Sequence, residues 1–237
     1  MMAVILAGGK GTRLKPYTMT IPKPLLPLGD KPIMEIILQQ LANAGVSKIV
    51  ITLGHMMHLF APTIGDGSRW GLDIAYCLED EPLGTAAPIR MIKDLEEDFI
   101  IMNGDLLTTL NYKSLFAEHK SRKAYGTISA HRQEVKTDYG IIKITDDDLL
   151  SEYLEKPIDY HYVSMGVYVL SRKCLDFIPE LGKFDMPQLM MKMVRENKKV
   201  VCYKADCYWQ DIGKFDDYQQ ASKDFSNHPE RFLTPSK

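Results

Sequence analysis

Three glycines in four positions, Gly8, Gly9 and Gly11, follow a short apolar run at the start of the chain and lead through Thr12 to Arg13. Residues without side chains let backbone N–H groups turn inward around an anion, as phosphate oxygens require. Arg13 adds a permanent charge whose planar fork matches phosphate. The loop is neither GxxxxGK[ST] nor GxGxxG, because Leu14 stands where the second motif needs its last glycine. Further on, Lys23 lies between Pro22 and Pro24. The prolines are expected to hold the backbone extended and to place a long cation at low entropic cost. Taken singly, a glycine turn and a surface lysine are ordinary. Together, at the end of the first apolar strand, they favour a phosphate site.

Two aspartates suit the same ligand. Asp105 closes Asn103-Gly104-Asp105 after an apolar run, and Asp211 lies in Trp209-Gln210-Asp211-Ile212-Gly213. Mg²⁺ takes one or two carboxylates, phosphate oxygens and waters. Either aspartate alone would read as a helix cap or a turn. His55 and His58 sit three apart on an expected helix without a third ligand nearby, so packing explains them better than a metal. Asp146-Asp147-Asp148 reads as a solvated turn, and Met186, Met190, Met191 and Met193 as core packing on one helix.

The elements that must position these groups follow from periodicity. Ala3–Ala7, Lys48–Leu53, Leu72–Cys77 and Phe99–Met102 read as strands. Between them, helices are expected from Pro32 to Gly45, around His55–Ile64 and over Gly84–Leu95. Continuous apolar strands alternating with helices imply a parallel sheet covered on both faces. Carboxylates at the carboxyl ends of such strands sit where these folds bind ligands. The second half brings closer strands at 124–132, 140–144, 149–154 and 164–170, then helices at 186–196 and 214–224. The expected fold is α/β and Rossmann-like, with a mixed, mostly parallel sheet. One domain is expected over residues 1–225, with a nucleotide-like half at 1–110 and a mixed, substrate-like half at 111–225 (nucleotide-binding and sugar-binding by the resemblance described below), and then a frayed tail at 226–237.

Composition bounds the partners. The chain has 237 residues, 45% hydrophobic and 25% charged, and carries 29 basic against 31 acidic side chains for a net charge of −2. At this length roughly 70–75% of the unfolded surface can be buried without a disulfide or metal staple. No basic footprint for nucleic acid is present, so an anionic ligand must be held locally. No run approaches the ~18–20 apolar residues of a membrane span, and the short apolar start lacks a basic leader. Four cysteines without CxxC spacing read as reduced thiols. A cytoplasmic protein is expected.

The stretch LAGGKGTRL followed by PKPLLPLGDKPI closely resembles the sugar nucleotidyltransferases (sugar-1-phosphate pyrophosphorylases), and the resemblance runs to about Asp224. It implies that Leu6, Ala7, Gly8, Gly9, Gly11, Thr12 and Arg13, with Lys23, wrap a nucleoside triphosphate. Asn103, Gly104 and Asp105 complete that site. Arg13, Lys23 and Asp105 would be catalytic, and Asp105 and Asp211 would hold Mg²⁺. The segment Glu79–Ala86 matches the base-recognition segment, with Gly84 on the base through its backbone and Glu79 and Thr85 also in the nucleotide site. Where thymidylyl and uridylyl relatives commonly carry Gln, this chain has Glu79. A carboxylate offers acceptors only, which suits the adjacent N1–H and N2–H of guanine. The segment is similar to that of mannose- and heptose-1-phosphate guanylyltransferases. Tyr139, Gly140, Glu155, Lys156, Ser164 and Gly166 match the sugar-side motifs, with Ser164 standing where many relatives have Asn. The expected partners are an NTP, GTP favoured, and a sugar-1-phosphate, with a homodimer and without nucleic acid or membrane. Uridylyl or cytidylyl transfer and a non-catalytic sugar-nucleotide-binding regulator are the alternatives. A dinucleotide-dependent oxidoreductase is disfavoured, since Thr52-Leu53-Gly54 ends the second strand without a ribose-gripping acid.

Overall fold

The computed structural model describes residues 1–9, 11–54 and 56–234. The strand β1 (Met2–Leu6) leads into the glycine loop. A two-rung ladder, β2 (Pro27–Leu28) with β3 (Lys31–Pro32), precedes α1 (Ile33–Asn43). Pro32 is extended, with φ −58° and ψ 146°, so it stands just before the helix and not within its first turn. Then come β4 (Lys48–Leu53), α2 (Phe60–Ile64), β5 (Asp73–Leu78), β6 (Asp98–Asn103) and β7 (Leu106–Thr108). The second half holds α3 (Tyr112–Arg122), β8 (Gly126–Lys136), β9 (Ile141–Ile144), β10 (Leu150–Leu154) and β11 (Ile158–Ser171). It closes with α4 (Met186–Arg195), β12 (Val200–Ala205), β13 (Trp209–Asp211), α5 (Phe215–Asn227) and α6 (Pro229–Leu233).

Seven strands form one sheet in the order β12-β8-β11-β6-β1-β4-β5. Four of its six pairings are parallel, and β11 alone runs against its neighbours β6 and β8. The central strands are buried on both faces because alternate residues feed two cores. Ala3, Ile5, Ile49, Ile51, Ile100 and Met102 join α1, Ala221 and Phe225 on one side. Met2, Val4, Val50, Phe99 and Ile101 meet Met186, Leu189, Met190 and Met193 of α4 on the other. Three of the four methionines are thus core, while Met191 is exposed. Among the described residues no helix is long and apolar enough to cross a membrane.

Several expected elements differ. The helix expected over 84–95 is a single 3-10 turn, Ala87–Met91. Gly84 at φ +88° and the ring of Pro88 oppose a continuous helix. The helix expected over 55–64 shrinks to a 3-10 turn, Met57–Leu59, and the short α2; His55 lies outside the described residues. β11 starts at Ile158, six residues earlier than expected, and pairs with the far end of β8 as an exposed ribbon. Its outer part, Ile-Asp-Tyr-His-Tyr-Val, alternates in polarity and lacks the continuous apolar run of the other strands. The ribbon and the separate β9–β10 hairpin form a projecting arm. The expected frayed tail is also corrected. α5 runs to Asn227, and α6 buries Phe232 to 2% exposure against the rings of Tyr208 and Phe225. Gln40 and Asn43 of α1 donate to the carbonyls of Phe232 and Leu233. Pro235 lies outside the described residues.

Candidate active site

A cleft of about 420 Å³ opens at the carboxyl ends of β1, β4 and β6. Its walls include Leu6, Ala7, Gly8, Gly9, Gly11, Thr12, Arg13, Lys23, Glu79, Gly84, Thr85, Asn103 and Asp105. Lys10 of the same loop lies outside the described residues. Backbone bonds hold the strand ends together: Ala7 N–H donates to Thr52 O at 2.9 Å and Gly104 N–H to Leu6 O at 2.9 Å. Gly104 sits behind the wall, where a Cβ would lie 3.2 Å from Leu6 O and 3.3 Å from Pro24 Cγ. Gly11 adopts φ +60° at the exit of the loop, and its carbonyl accepts from the Thr18 hydroxyl at 2.8 Å. Gly9 is exposed and a Cβ there would meet nothing within 4 Å, so its small size serves no packing need within the chain. Arg13 is exposed.

Lys23 begins a 3-10 turn, Lys23–Leu25, closed by Leu25 N–H to Pro22 O at 2.8 Å. This corrects the expected extended backbone: Pro22 is extended, but Pro24 is accommodated within the turn. The residue is only 8% exposed and its ammonium is ion-paired with Asp105. Asp211 arrives from the far end of the chain. On β13 it lies opposite Leu106 of β7, and the next residue, Ile212, donates its N–H to Asp105 O at 3.1 Å. Burial raises the pKa of Asp211, and the negative charge of Asp105 raises it further; Lys23 and Arg13 pull it back in part. Arg13 also borders this corner, since a Cβ on Gly213 would stand 3.4 Å from Arg13 Nη1 and 3.5 Å from Asp211 Oδ2.

The two carboxylates fit a Mg²⁺ ion. They are half-buried, they repel one another, and they are oxygen donors. Among the described residues no group of three or more His, Cys, Asp or Glu side chains forms a metal site. A pair of acids is a poor cage for zinc. It matches what a protein contributes to a Mg²⁺ site, where phosphate oxygens and water would supply the remaining ligands.

The other end of the cleft holds Glu79. A Cβ on Gly8 would lie 2.9 Å from Glu79 Oε1, so the carboxylate packs on the glycine loop itself. Its Oε2 accepts the Leu83 N–H at 3.3 Å. Burial raises the Glu79 pKa, partly countered by Leu83 N–H and by the nearby Thr52 hydroxyl. That hydroxyl is buried and falls short of a hydrogen bond with any described residue. Gly84, at φ +88°, presses on the segment before α4: a Cβ would lie 2.6 Å from Asp185 Oδ1 and 2.7 Å from Phe184 O. Phe184 N–H donates to Leu83 O at 2.9 Å, and Ala86 N–H to Phe184 O at 2.9 Å. Thr85 lines the cleft, but its hydroxyl already accepts from Met186 N–H at 2.7 Å.

The sugar-side residues divide into two groups. Gly166, at φ +72°, sits in the bulge of β11, where a Cβ would lie 2.6 Å from Asn103 Nδ2. The Ser164 hydroxyl is engaged with the Tyr168 hydroxyl at 2.9 Å. Tyr139, Gly140, Glu155 and Lys156 belong to the exposed arm and are not among the cleft walls; Tyr139 is 79% exposed. The Tyr153 phenol fills the space over Gly140, 2.5 Å from where a Cβ would stand. Thr52, Pro24, Pro82, Lys183, Asp185 and Gly213 also line the cleft and were not expected there. Asp185 before Met-Pro could have been read as a helix start, but nothing local ties residue 183 to residue 84.

Known proteins resemble this chain over most of its length. The family model described as Nucleotidyl transferase matches residues 2–228. The mannose-1-phosphate guanyltransferase of Saccharomyces cerevisiae is 31% identical over 227 residues, covering 92% of this chain and 63% of the yeast protein. A UTP–glucose-1-phosphate uridylyltransferase of Synechocystis sp. is 32% identical over 241 residues, covering 93% of this chain and 62% of that protein. The chain thus spans less than two thirds of the length of these two curated relatives. Among solved structures, HddC from Yersinia pseudotuberculosis aligns with a TM-score of 0.71 at 28% identity, covering 94% of this chain and 99% of that one. The same protein has also been solved in complex with GMP-PN.

Proposed function

Because the chain belongs to the nucleotidyl transferase family, we propose that it joins a nucleoside triphosphate, GTP by preference, to a sugar-1-phosphate, giving an NDP-sugar and pyrophosphate. One observation carries the reading. The glycine loop, Lys23 and Asp105 line a single cleft, and Asp211, from the far end of the chain, stands beside Asp105 at its edge. An oxygen of the sugar phosphate attacks the α-phosphorus in line, the bond from that phosphorus to the bridging oxygen breaks, and its electron pair leaves with pyrophosphate. The nucleophile is already anionic, so no general base is needed. Catalysis then reduces to alignment and charge neutralisation. Backbone N–H groups of the glycine loop and Arg13 hold the triphosphate. Lys23, beside Asp105, reaches a phosphate at the same end by side-chain rotation. Asp105 and Asp211 would hold Mg²⁺, which when bound supplies charge neutralisation between the two phosphate groups.

Guanine is supported by Glu79, whose carboxylate accepts two adjacent N–H groups, and by the guanyltransferase name of the yeast relative. The GMP-PN complex of the Yersinia protein supports it too. The Synechocystis relative favours UTP as the second reading. Uracil offers a single N–H flanked by two carbonyl oxygens, which an ionised Glu79 would repel. A pyrophosphate-release assay with GTP, UTP, CTP, dTTP and ATP, each against a panel of sugar-1-phosphates, tests both points. Preference for UTP ends the guanine reading, and no turnover with any pair ends the enzyme reading. The four unpaired cysteines support a reducing cytoplasm. The exposed Ile142, Ile144, Leu149 and Leu150 of the arm support a homodimer.

A further inference from the structure

We infer that Lys183 is a specificity-determining residue for the base, donating from its ammonium to N7 of guanine while Glu79 accepts from N1–H and N2–H. The inference rests on the guanine reading above and deepens it. Three lysines and arginines line the cleft among the described residues, namely Arg13, Lys23 and Lys183. Two of them stand at the phosphate end: Lys23 is paired with Asp105, and Arg13 borders Asp211 and Gly213. Lys183 is at the other end and forms no ion pair with a described residue.

Its position is fixed through the Leu83 peptide. The N–H of Leu83 donates to Glu79 Oε2 at 3.3 Å, and the carbonyl of Leu83 accepts from Phe184 N–H at 2.9 Å. Glu79 and the residue after Lys183 therefore bond to the two backbone polar groups of the same residue, Leu83. Phe184 is held further by its carbonyl, which accepts from Ala86 and Ala87 N–H at 2.9 and 3.1 Å. Asp185, which also lines the cleft, is tied to the base segment by its Oδ1, which accepts from Thr85 N–H at 3.0 Å. Guanine presents two donors on its N1/N2 edge and two acceptors, O6 and N7, on the adjoining edge. An acceptor-only group and a donor-only group lining the same end of the cleft match that order of edges. Lys183 is itself exposed, so its substitution leaves the cores intact.

The test is steady-state kinetics of wild type and Lys183→Met with GTP, ITP and 7-deaza-GTP under the same sugar phosphate. ITP keeps N7 and lacks the N2 amine, whereas 7-deaza-GTP lacks N7. A lost hydrogen bond from a charged group gives about a tenfold fall in kcat/KM. That fall is expected on GTP and on ITP, and less than twofold on 7-deaza-GTP. Equal falls on all three substrates mean a contact elsewhere, for example with phosphate, and overturn the inference. No fall on any of them overturns it as well. Either result alongside normal GTP use by the wild type leaves the proposed function standing. A wild type that prefers UTP removes the guanine reading and this inference together.

Discussion

Asp211→Asn should make the protein more stable and less active at once. The carboxylate is pushed toward its neutral form by burial and by Asp105, and the attraction of Lys23 and Arg13 does not restore it. Its charge therefore opposes folding, and an isosteric amide removes that cost. The gain is expected to be about 1 kcal/mol, in the usual range for relieving one charge conflict. For a chain of this size that is a rise in Tm of roughly 2–4 °C. The sign follows from linkage. A carboxylate whose pKa is raised by folding binds more protons in the native state than in the unfolded one. The penalty is fully present above the folded pKa and fades as pH falls through it. Wild type and variant should thus differ at pH 7 and converge at acid pH. Activity should fall by about 10²–10³-fold, the typical effect of removing one group that stabilises transition-state charge. Thermal unfolding at pH 7 and pH 4, and pyrophosphate release at pH 7, provide the readouts. Adding Mg²⁺ with nucleotide should raise the Tm of wild type and not that of the variant. A variant that is less stable than wild type at pH 7, or that keeps near-normal turnover with Mg²⁺, would refute the assignment of Asp211 to a charge-strained metal corner.

Lys156 can hold the sugar phosphate only where the arm meets the cleft, and Lys156→Ala should then weaken sugar-phosphate binding more than NTP binding in calorimetric titrations; unchanged binding of both would leave Lys156 outside the site, and the opposite pattern would move it to the other phosphate. Gly84→Ala should destabilise by about 2–4 kcal/mol in urea, since it combines a left-handed backbone with a Cβ 2.6 Å from Asp185 Oδ1. An unchanged midpoint would contradict the close approach of residue 84 to the segment before α4. His119 is 1% exposed, bonded to Thr127 Oγ1 at 2.8 Å and to Asp98 Oδ1 at 3.3 Å, and burial lowers its pKa despite Asp98. The unfolded state then takes its proton first, so stability should fall as pH drops below about 6.5. In His119→Gln that slope between pH 7 and pH 5 should flatten; an identical slope would rule His119 out as its source.

Local chemistry was legible where it is written in adjacent residues. The glycine loop with Arg13, the Asn103-Gly104-Asp105 strand end and the parallel β/α start all stand where periodicity and residue type placed them. Short-range exceptions came from glycine and proline geometry: Gly84 and Pro88 turned an apolar, helix-like stretch into one 3-10 turn. The arm escaped because β8 and β11 extend past the core as a solvent-facing ribbon, and exposed strands lack the apolar run that marks buried ones. α6 escaped because its packing on α1 depends on a single buried ring, Phe232, and on two side-chain bonds from Gln40 and Asn43.

By itself the order of residues determined which groups could grip a triphosphate and which strands could carry them, because backbone freedom, charge and periodicity are local properties. Only the tertiary structure decided that Asp211 meets Asp105 through the β7–β13 ladder, that Lys23 is held on Asp105, and that Lys183 and Glu79 line the same cleft. It also decided that Glu155 and Lys156 stand on an exposed arm, outside the cleft walls. These juxtapositions join residues from distant parts of the chain. Their free energies come from strand pairing and burial between segments, so no window of the sequence contains them.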